Sequence, residues 1–221
     1  MSLKELIKSR YSVRSFTDEM VSIEKVKEIL DIASSAPSGG NIQPWRVYVV
    51  TGNSKDKLTR KALQNFDNGA QEEIAYEIYP KPLDDEYKRR RSQCAADMYK
   101  ALSIEKDDIE SRLKQVRENF RFFGAPVGMI ITIDKSFAKN GWGHVGMYLQ
   151  NLCLASIDSG LGTCLQESWS IYPKTVKDVI KHPDNEVVWC GVALGYPNDN
   201  DPINQYRTSR EDINKFVSFL K

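Results

Sequence analysis

Two hydrophobic spacings alternate along the chain, one helical and one of short continuous runs. Leu3, Leu6 and Ile7 share a face behind Ser2-x-x-Glu5, the form of a capping box, and predict a helix ending near Ser9. Ser22 is placed to cap a second helix whose stripe is Ile23, Val26, Ile29, Leu30 and Ala33. Helical spacing returns over 54–65 (Leu58, Ala62, Leu63), over 95–102, and over 107–122 through Ile109, Leu113, Val116 and Phe120. A central helix carries Val145, Tyr148, Leu149, Leu152, Leu154 and Ala155 and stops at Ser159-Gly160. Pro173 opens a short helix over 174–181, and a last short helix ends with Phe216, Phe219 and Leu220, which need a surface such as another subunit to bury on. Between these, 46–51, 127–133, 162–167 and 187–194 are short, apolar and β-branched, as buried strands are. The pattern predicts an α+β fold of about four strands sandwiched by helices. No repeat or linker divides residues 1–221, so one domain is expected. Residues 66–92 lose periodicity, with Tyr79-Pro80-Lys81-Pro82 as a break. The section 66–122 is therefore the expected substrate-selecting excursion.

Composition narrows this picture. A chain of 221 residues can bury one substantial core. Lys plus Arg number 31 against 30 Asp plus Glu, a net charge of +1 that gives no general reason to bind nucleic acid. The run Lys88-Arg89-Arg90-Arg91 could attract an anion, but such runs are more often the solvated face of a helix. The first residues lack the apolar run of a signal peptide and no later segment suits a membrane span, so a soluble, cytoplasmic protein is expected. Cys94, Cys153, Cys164 and Cys190 are widely spaced and read as reduced, mostly buried thiols. His144 and His182 stand in no ligand-spaced cluster, so no metal is expected, and nothing favours a Cys-His nucleophile pair.

Three stretches carry candidate chemistry. The loop Ala36-Pro37-Ser38-Gly39-Gly40-Asn41-Ile42-Gln43-Pro44-Trp45 is dense in small, uncharged hydrogen-bonding groups, which suit a flat, polar-edged ligand. Its plainer reading is a helix-to-strand connection anchored by Trp45. Arg10 and Arg14 flank Tyr11 and Ser12, and two guanidinium groups with a hydroxyl would suit a phosphate; equally, both could be solvated at a helix C-terminus. Gly141-Trp142-Gly143-His144-Val145-Gly146 matches the dinucleotide fingerprint G-x-G-x-x-G. Residues 134–140 separate it from its strand, and the acidic residue about twenty positions on would fall in a helix. Glycines that let a central helix pack closely explain it better.

Taken together, Arg10-Tyr11-Ser12-Val13-Arg14, the loop Pro37–Trp45, Gly160-x-Gly162-Thr163 and the tail Gly195-Tyr196-Pro197…Arg207…Arg210 resemble the flavin-dependent nitroreductase family, in order and over essentially the whole chain. Residues 79–91 and 119–126 look most like its nitrobenzoate-reductase branch. The resemblance implies a three-layer α+β sandwich with a mixed sheet, and an intertwined homodimer with FMN at the subunit interface. Carried over by position, Arg10 and one or both of Arg207 and Arg210 would hold the FMN phosphate. Ser12 and Arg14, beside Tyr11, would contact the ribityl chain and the N1/O2 edge. Pro37, Ser38, Gly39 and Asn41 would approach the flavin from the other subunit. Leu165, Gln166, Glu167 and Ser168 match the strand end facing the ring, where the backbone N–H of Glu167 or Ser168 would reach N5 or O4. Some members have a lysine and an asparagine just before the middle strand, where this chain offers Glu118, Asn119 and Arg121.

The implied activity is ping-pong transfer of hydride from NADH or NADPH, through FMN, to an electron-poor acceptor such as a nitroaromatic or quinone. The cofactor carries the redox chemistry, so no catalytic side chain is expected. The same resemblance leaves open reductive dehalogenation, oxygen-dependent flavin fragmentation, and a flavin-binding protein without turnover.

Overall fold

The computed structural model describes residues 1–221, apart from the side chains of residues 138 and 139. Four strands form one sheet in the order β1-β2-β4-β3: β1 (Trp45–Val50), β2 (Val127–Asp134), β3 (Gly162–Gln166) and β4 (Glu186–Gly195). Every pairing between them is antiparallel. The mixed sheet expected from the resemblance is thus corrected: the parallel component is confined to one isolated bridge, Ser12 with Thr163. That bridge places the N-terminal segment beside the edge strand β3.

Two apolar clusters make the three layers. On one face Met129, Ile131 and Ile133 of β2 pack with Val26, Ile29 and Ala33 of α2 (Ile23–Ser34) and with Tyr148, Leu149 and Leu152 of α6 (Ala138–Asp158). On the other, Ile130 meets Leu58 and Ala62 of α3 (Gly52–Asp67) and Val176 of α7 (Pro173–Ile180). Strand β2 alternates between the two and is buried along almost its whole length, which is why its sequence is a continuous apolar run.

The remaining helices are α1 (Leu3–Ser9), closed by the Ser2–Glu5 capping box, α4 (Asp85–Ala101) and α5 (Ile109–Arg117). Three local expectations change. Helix α4 begins well before 95, capped by the Asp84 side chain, and takes in the basic run. The helix expected over 107–122 ends at Arg117 and passes into a 3-10 turn, Glu118–Gly124, in which Phe122 and Phe123 have φ near +52°. This turn drives Phe122 under the sheet, where its ring stacks on Trp169 at 4.6 Å between centroids; burial of two large rings offsets the backbone strain. The tail holds two 3-10 turns, Pro202–Asn204 and, where the last helix was expected, Ile213–Lys215, and Phe216 and Phe219 stand exposed. Among the described residues, no helix is long and apolar enough to cross a membrane.

Candidate functional site

The N-terminal segment reaches the β3 edge because Gly162 leaves room for it. A Cβ there would lie 2.4 Å from Val13 Cγ2, so glycine permits Val13 to lie flat against the strand. Val13 N–H then donates to Thr163 O at 2.9 Å, and Thr17 and Asn198 clip the same segment to the chain after β4. Asn204, 1% exposed, completes the joint. Its Oδ1 accepts from Arg14 N–H at 2.9 Å, and its Nδ2 donates to Ser15 O at 2.7 Å and Asn198 O at 2.9 Å. One buried carboxamide therefore satisfies three main-chain groups of two distant segments.

This joint brings Arg10, Tyr11, Ser12, Arg14 and Arg207 together. The Arg207 guanidinium lies 3.7 Å from the centre of the Tyr11 ring while its Nη1 donates to Asn204 O and Tyr206 O. Burial, with Asp199 nearby, pushes the Tyr11 hydroxyl up, so the ring stays neutral beneath the cation. Arg14 donates to the Tyr206 hydroxyl at 3.0 Å. Arg10 follows α1 directly, and its charge, like that of Arg14, is felt at Cys164 inside β3. Arg210 does not join them. It folds onto its own turn, donating to Thr208 Oγ1 at 2.7 Å and to Ser209 O.

Further along β3 the strand opens. Cys164 and Gln166 are buried, whereas Leu165 between them is 42% exposed, an apolar side chain on an uncovered strip of the edge strand. Leu165, Glu167 and Ser168 present this strip; Gln166 does not, because its side chain turns inward and donates from Nε2 to Asn119 O at 2.6 Å. Behind it, Trp169 packs flat on the strand, where a Cβ at Gly191 would lie 2.1 Å from the indole. Gln166 Oε1 and Trp169 Nε1 are buried without partners. The turn Glu167–Ile171 is thus held from within by Gln166 and Trp169, neither of which faces outward. Asn119 contributes its carbonyl while its side chain donates to Val116 O at 2.9 Å, and Arg121 pairs with Glu118 at 3.6 Å.

The loop carrying Pro37, Ser38, Gly39 and Asn41 is not part of this cluster. It leads into Trp45, which pairs with Ile133 and through it aligns with Val187, whereas Ser12 aligns through Thr163 with Leu194. Seven residues along β4 amount to about 23 Å, and the loop enters the opposite edge of the sheet, about 14 Å across. Within one chain the loop and the arginines lie at opposite corners. Pro37, Gly39 and Asn41 are exposed; Ser38 Oγ accepts from Gln43 N–H at 3.0 Å, and Trp45 stacks on Tyr148 at 4.9 Å.

Other motifs resolve plainly. Cys153, Cys164 and Cys190 are buried; burial pushes the Cys164 thiol up to about 11 and the other two upward, which makes them poor nucleophiles. In the basic run Lys88 pairs with Asp85, Arg90 with Glu86 and Glu211, and Arg89 with Glu211, while Arg91 lies over Tyr79. It is a neutralised helix face. In the glycine motif, Gly141 allows close packing, since a Cβ would lie 2.5 Å from Ile133, but Gly143 and Gly146 meet nothing within 4 Å in the chain. Asn204, Tyr206 and Trp169 were not read as site residues from sequence; the signal available was the polar cluster Asn204-Gln205-Tyr206 just ahead of Arg207.

A four-stranded antiparallel sheet between two helical layers, with an arginine cluster at one end of its edge strand and an exposed apolar strip at the other, defines an α+β sandwich. The chain belongs to the nitroreductase family, whose profile matches residues 7–196. It is 36% identical over 220 residues to the nitrobenzene nitroreductase of Ectopseudomonas oleovorans, covering 99% of this chain and 96% of that one. It is 34% identical to the 4-nitrobenzoate reductase of Pseudomonas putida, over 97% and 94% of the two chains. Among solved structures, the FMN and NADPH-dependent nitroreductase NfnB from Sphigopyxis sp. strain HMH superposes with a TM-score of 0.96 at 32% identity over the whole of both chains.

Proposed function

We propose that this protein is an FMN-dependent NAD(P)H oxidoreductase that reduces electron-poor acceptors such as nitroaromatics or quinones and works as a homodimer. The observation that carries the reading is the Ser12–Thr163 bridge, which sets the arginine segment and the exposed strip of β3 along one edge. The residues fit the cofactor. Arg10 and Arg207 are the phosphate ligands, and Arg207 is preorganised by Tyr11 beneath it and two carbonyls behind it. Ser12 and Arg14 would hold the chain that joins phosphate to ring. Leu165 offers apolar contact to the ring, and the main-chain N–H groups of Glu167 or Ser168 stabilise negative charge on its polar edge. Bound FMN supplies the two-electron exchange between nicotinamide and acceptor. The chain binds, orients and tunes it, and needs no nucleophile. Arg210 is left out of the phosphate site.

The opposite-corner placement of the loop supports the dimer. Since Pro37, Ser38, Gly39 and Asn41 cannot serve a ligand held by Arg10 of the same chain, they serve the partner's. The excursion 66–122 selects the acceptor. Its residues Glu73–Tyr76 line a cavity of about 880 Å³ with Trp142 and Val187. Tyr76 joins this cavity to the strip: its hydroxyl donates to Trp189 O, its ring meets Trp142 edge-on at 4.7 Å, and its phenol, pushed up by burial, also senses Glu167. The relatives' names support nitroaromatics as acceptors and NADPH as one donor. Purification tests the reading. A yellow dimer that oxidises NADH or NADPH in the presence of a nitroaromatic is expected; a colourless protein that takes up no added FMN overturns it.

A further inference from the structure

Helix α6 supports the Pro37–Trp45 loop from below at two points one turn apart. Tyr148 stacks on Trp45, and His144, four residues earlier on the same helical face, lies under Gly39. A Cβ built on Gly39 would sit 3.3 Å from His144 Nε2 and 3.4 Å from Cε1. The two adjacent glycines differ in what they require. Gly40 has φ +59° and open space around it, so its backbone calls for glycine. Gly39 has no such φ, and among the described residues the imidazole is the only neighbour within 4 Å of its absent Cβ, its own chain neighbours aside. Among the described residues His144 Nδ1 is buried without a partner, so packing against the loop fixes that side of the ring.

We propose that His144 is a positioning residue. Its imidazole is the floor on which Gly39 rests, and it sets the height at which Ser38, Gly39 and Asn41 are presented to the partner's flavin. The inference rests on the flavin reading above for its functional half. Its structural half is the dependence of glycine at 39 on histidine at 144.

A double-mutant cycle tests both, using FMN dissociation constants of the dimeric protein and the thermal midpoint of the flavin-free protein. Gly39→Ala is expected to weaken FMN binding about tenfold, the scale of an overpacked contact. His144→Ala is expected to weaken it about threefold through a less fixed loop. With both, binding should return to within about twofold of His144→Ala alone, since the added methyl enters the space the ring vacated. Gly40→Ala, strained by its own backbone, should gain nothing from His144→Ala. Additive losses at Gly39 and His144 in both readouts overturn the proposal. Compensation in the midpoint without recovery of FMN binding also overturns it, because glycine at 39 would then serve the ligand and not the floor. If the wild-type protein binds no FMN, the flavin reading fails, while the midpoints still decide whether His144 is what demands glycine at 39.

Discussion

Two arginine-rich regions of this molecule look alike in sequence and differ in construction. Around the β3 edge, Arg10, Arg14 and Arg207 are brought together by a buried carboxamide, a main-chain bridge and an aromatic ring, with no carboxylate among their hydrogen-bond partners. Between α4 and the tail, Arg89 and Arg90 meet Glu86 and Glu211, which consume their charge. Neutral scaffolding leaves a cation available to an anionic ligand, whereas an ion pair uses it to hold the chain together. The distinction lies in the partners, and local sequence does not display them.

The largest expected effect breaks the scaffold of the first region. Asn204→Ala leaves Arg14 N–H without a partner in a buried joint and takes from Ser15 O and Asn198 O one of the two hydrogen bonds each accepts, the others coming from Asn198 N–H and Asp201 N–H. At about 1–3 kcal/mol for the one group left unsatisfied, with a smaller loss at the two carbonyls, about 2–3 kcal/mol of stability should be lost. Denaturant unfolding measures it, and FMN retention should fall with it because Arg14 is released. A loss under about 0.5 kcal/mol, the level of an ordinary surface change, would show that the joint is not buried in solution.

Next comes the contrast between two arginines three residues apart. If Arg207 holds the FMN phosphate as proposed, Arg207→Ala removes a charge-assisted contact worth about 2 kcal/mol, and the FMN dissociation constant should rise about thirtyfold. Arg210→Ala should leave it within about threefold, since Arg210 is engaged with Thr208 and Ser209. Equal losses at the two positions would erase the distinction. Lys replacing Arg207 should recover only part of the binding, because a lysine ammonium cannot stack on Tyr11 as a planar guanidinium does.

Much of this architecture was legible because it is local. Capping boxes, the Gly160 stop and the apolar runs of β2 and β4 depend on residues within a turn or a strand of each other. What escaped depends on contacts across the fold. The φ-positive turn at Phe122 and Phe123 is paid for by Trp169, nearly fifty residues on. The inward turn of Gln166 is fixed by a carbonyl at Asn119. Arg207 and Arg210 are indistinguishable as letters; Tyr11, at the other end of the chain, separates them. The antiparallel sheet was missed for a related reason, since apolar runs report burial on both faces but carry no direction.

Smaller effects are expected in the second region. Glu211→Gln keeps the shape of the side chain and removes its charge, so the tail loses its ionic hold on Arg89 and Arg90. Arg89 is largely solvent-facing and Arg90 partly so, and pairs this close to solvent contribute little to stability. Amide exchange over the middle of α4 should quicken severalfold at neutral pH, with FMN affinity unchanged. An equal loss of FMN affinity would mean that the tail latch and the phosphate site are one unit, contrary to the comparison.

The same carboxylate gives the finest test, through pH. Burial alone lifts the Glu211 carboxyl, but the Arg90 hydrogen bond, the Asp212 backbone N–H and the charges of Arg90 and Arg89 outweigh it, so the group sits below its ordinary 4.5. A carboxyl depressed in the folded state adds stability that is complete above the unfolded value and is lost as pH falls through the folded one. Wild type and Glu211→Gln should therefore differ in α4 exchange at pH 7, and the difference should close as the solution is acidified below the ordinary carboxylate range. Taking the ratio of the two proteins at each pH cancels the chemical pH dependence of exchange and the titration of the other depressed carboxylates, Glu5, Asp67, Asp108, Asp134 and Asp178, which both proteins share. A ratio that stays constant down to pH values where Glu211 must be protonated would mean that shape and not charge holds the tail. The two regions would then differ less in kind than their hydrogen bonds indicate.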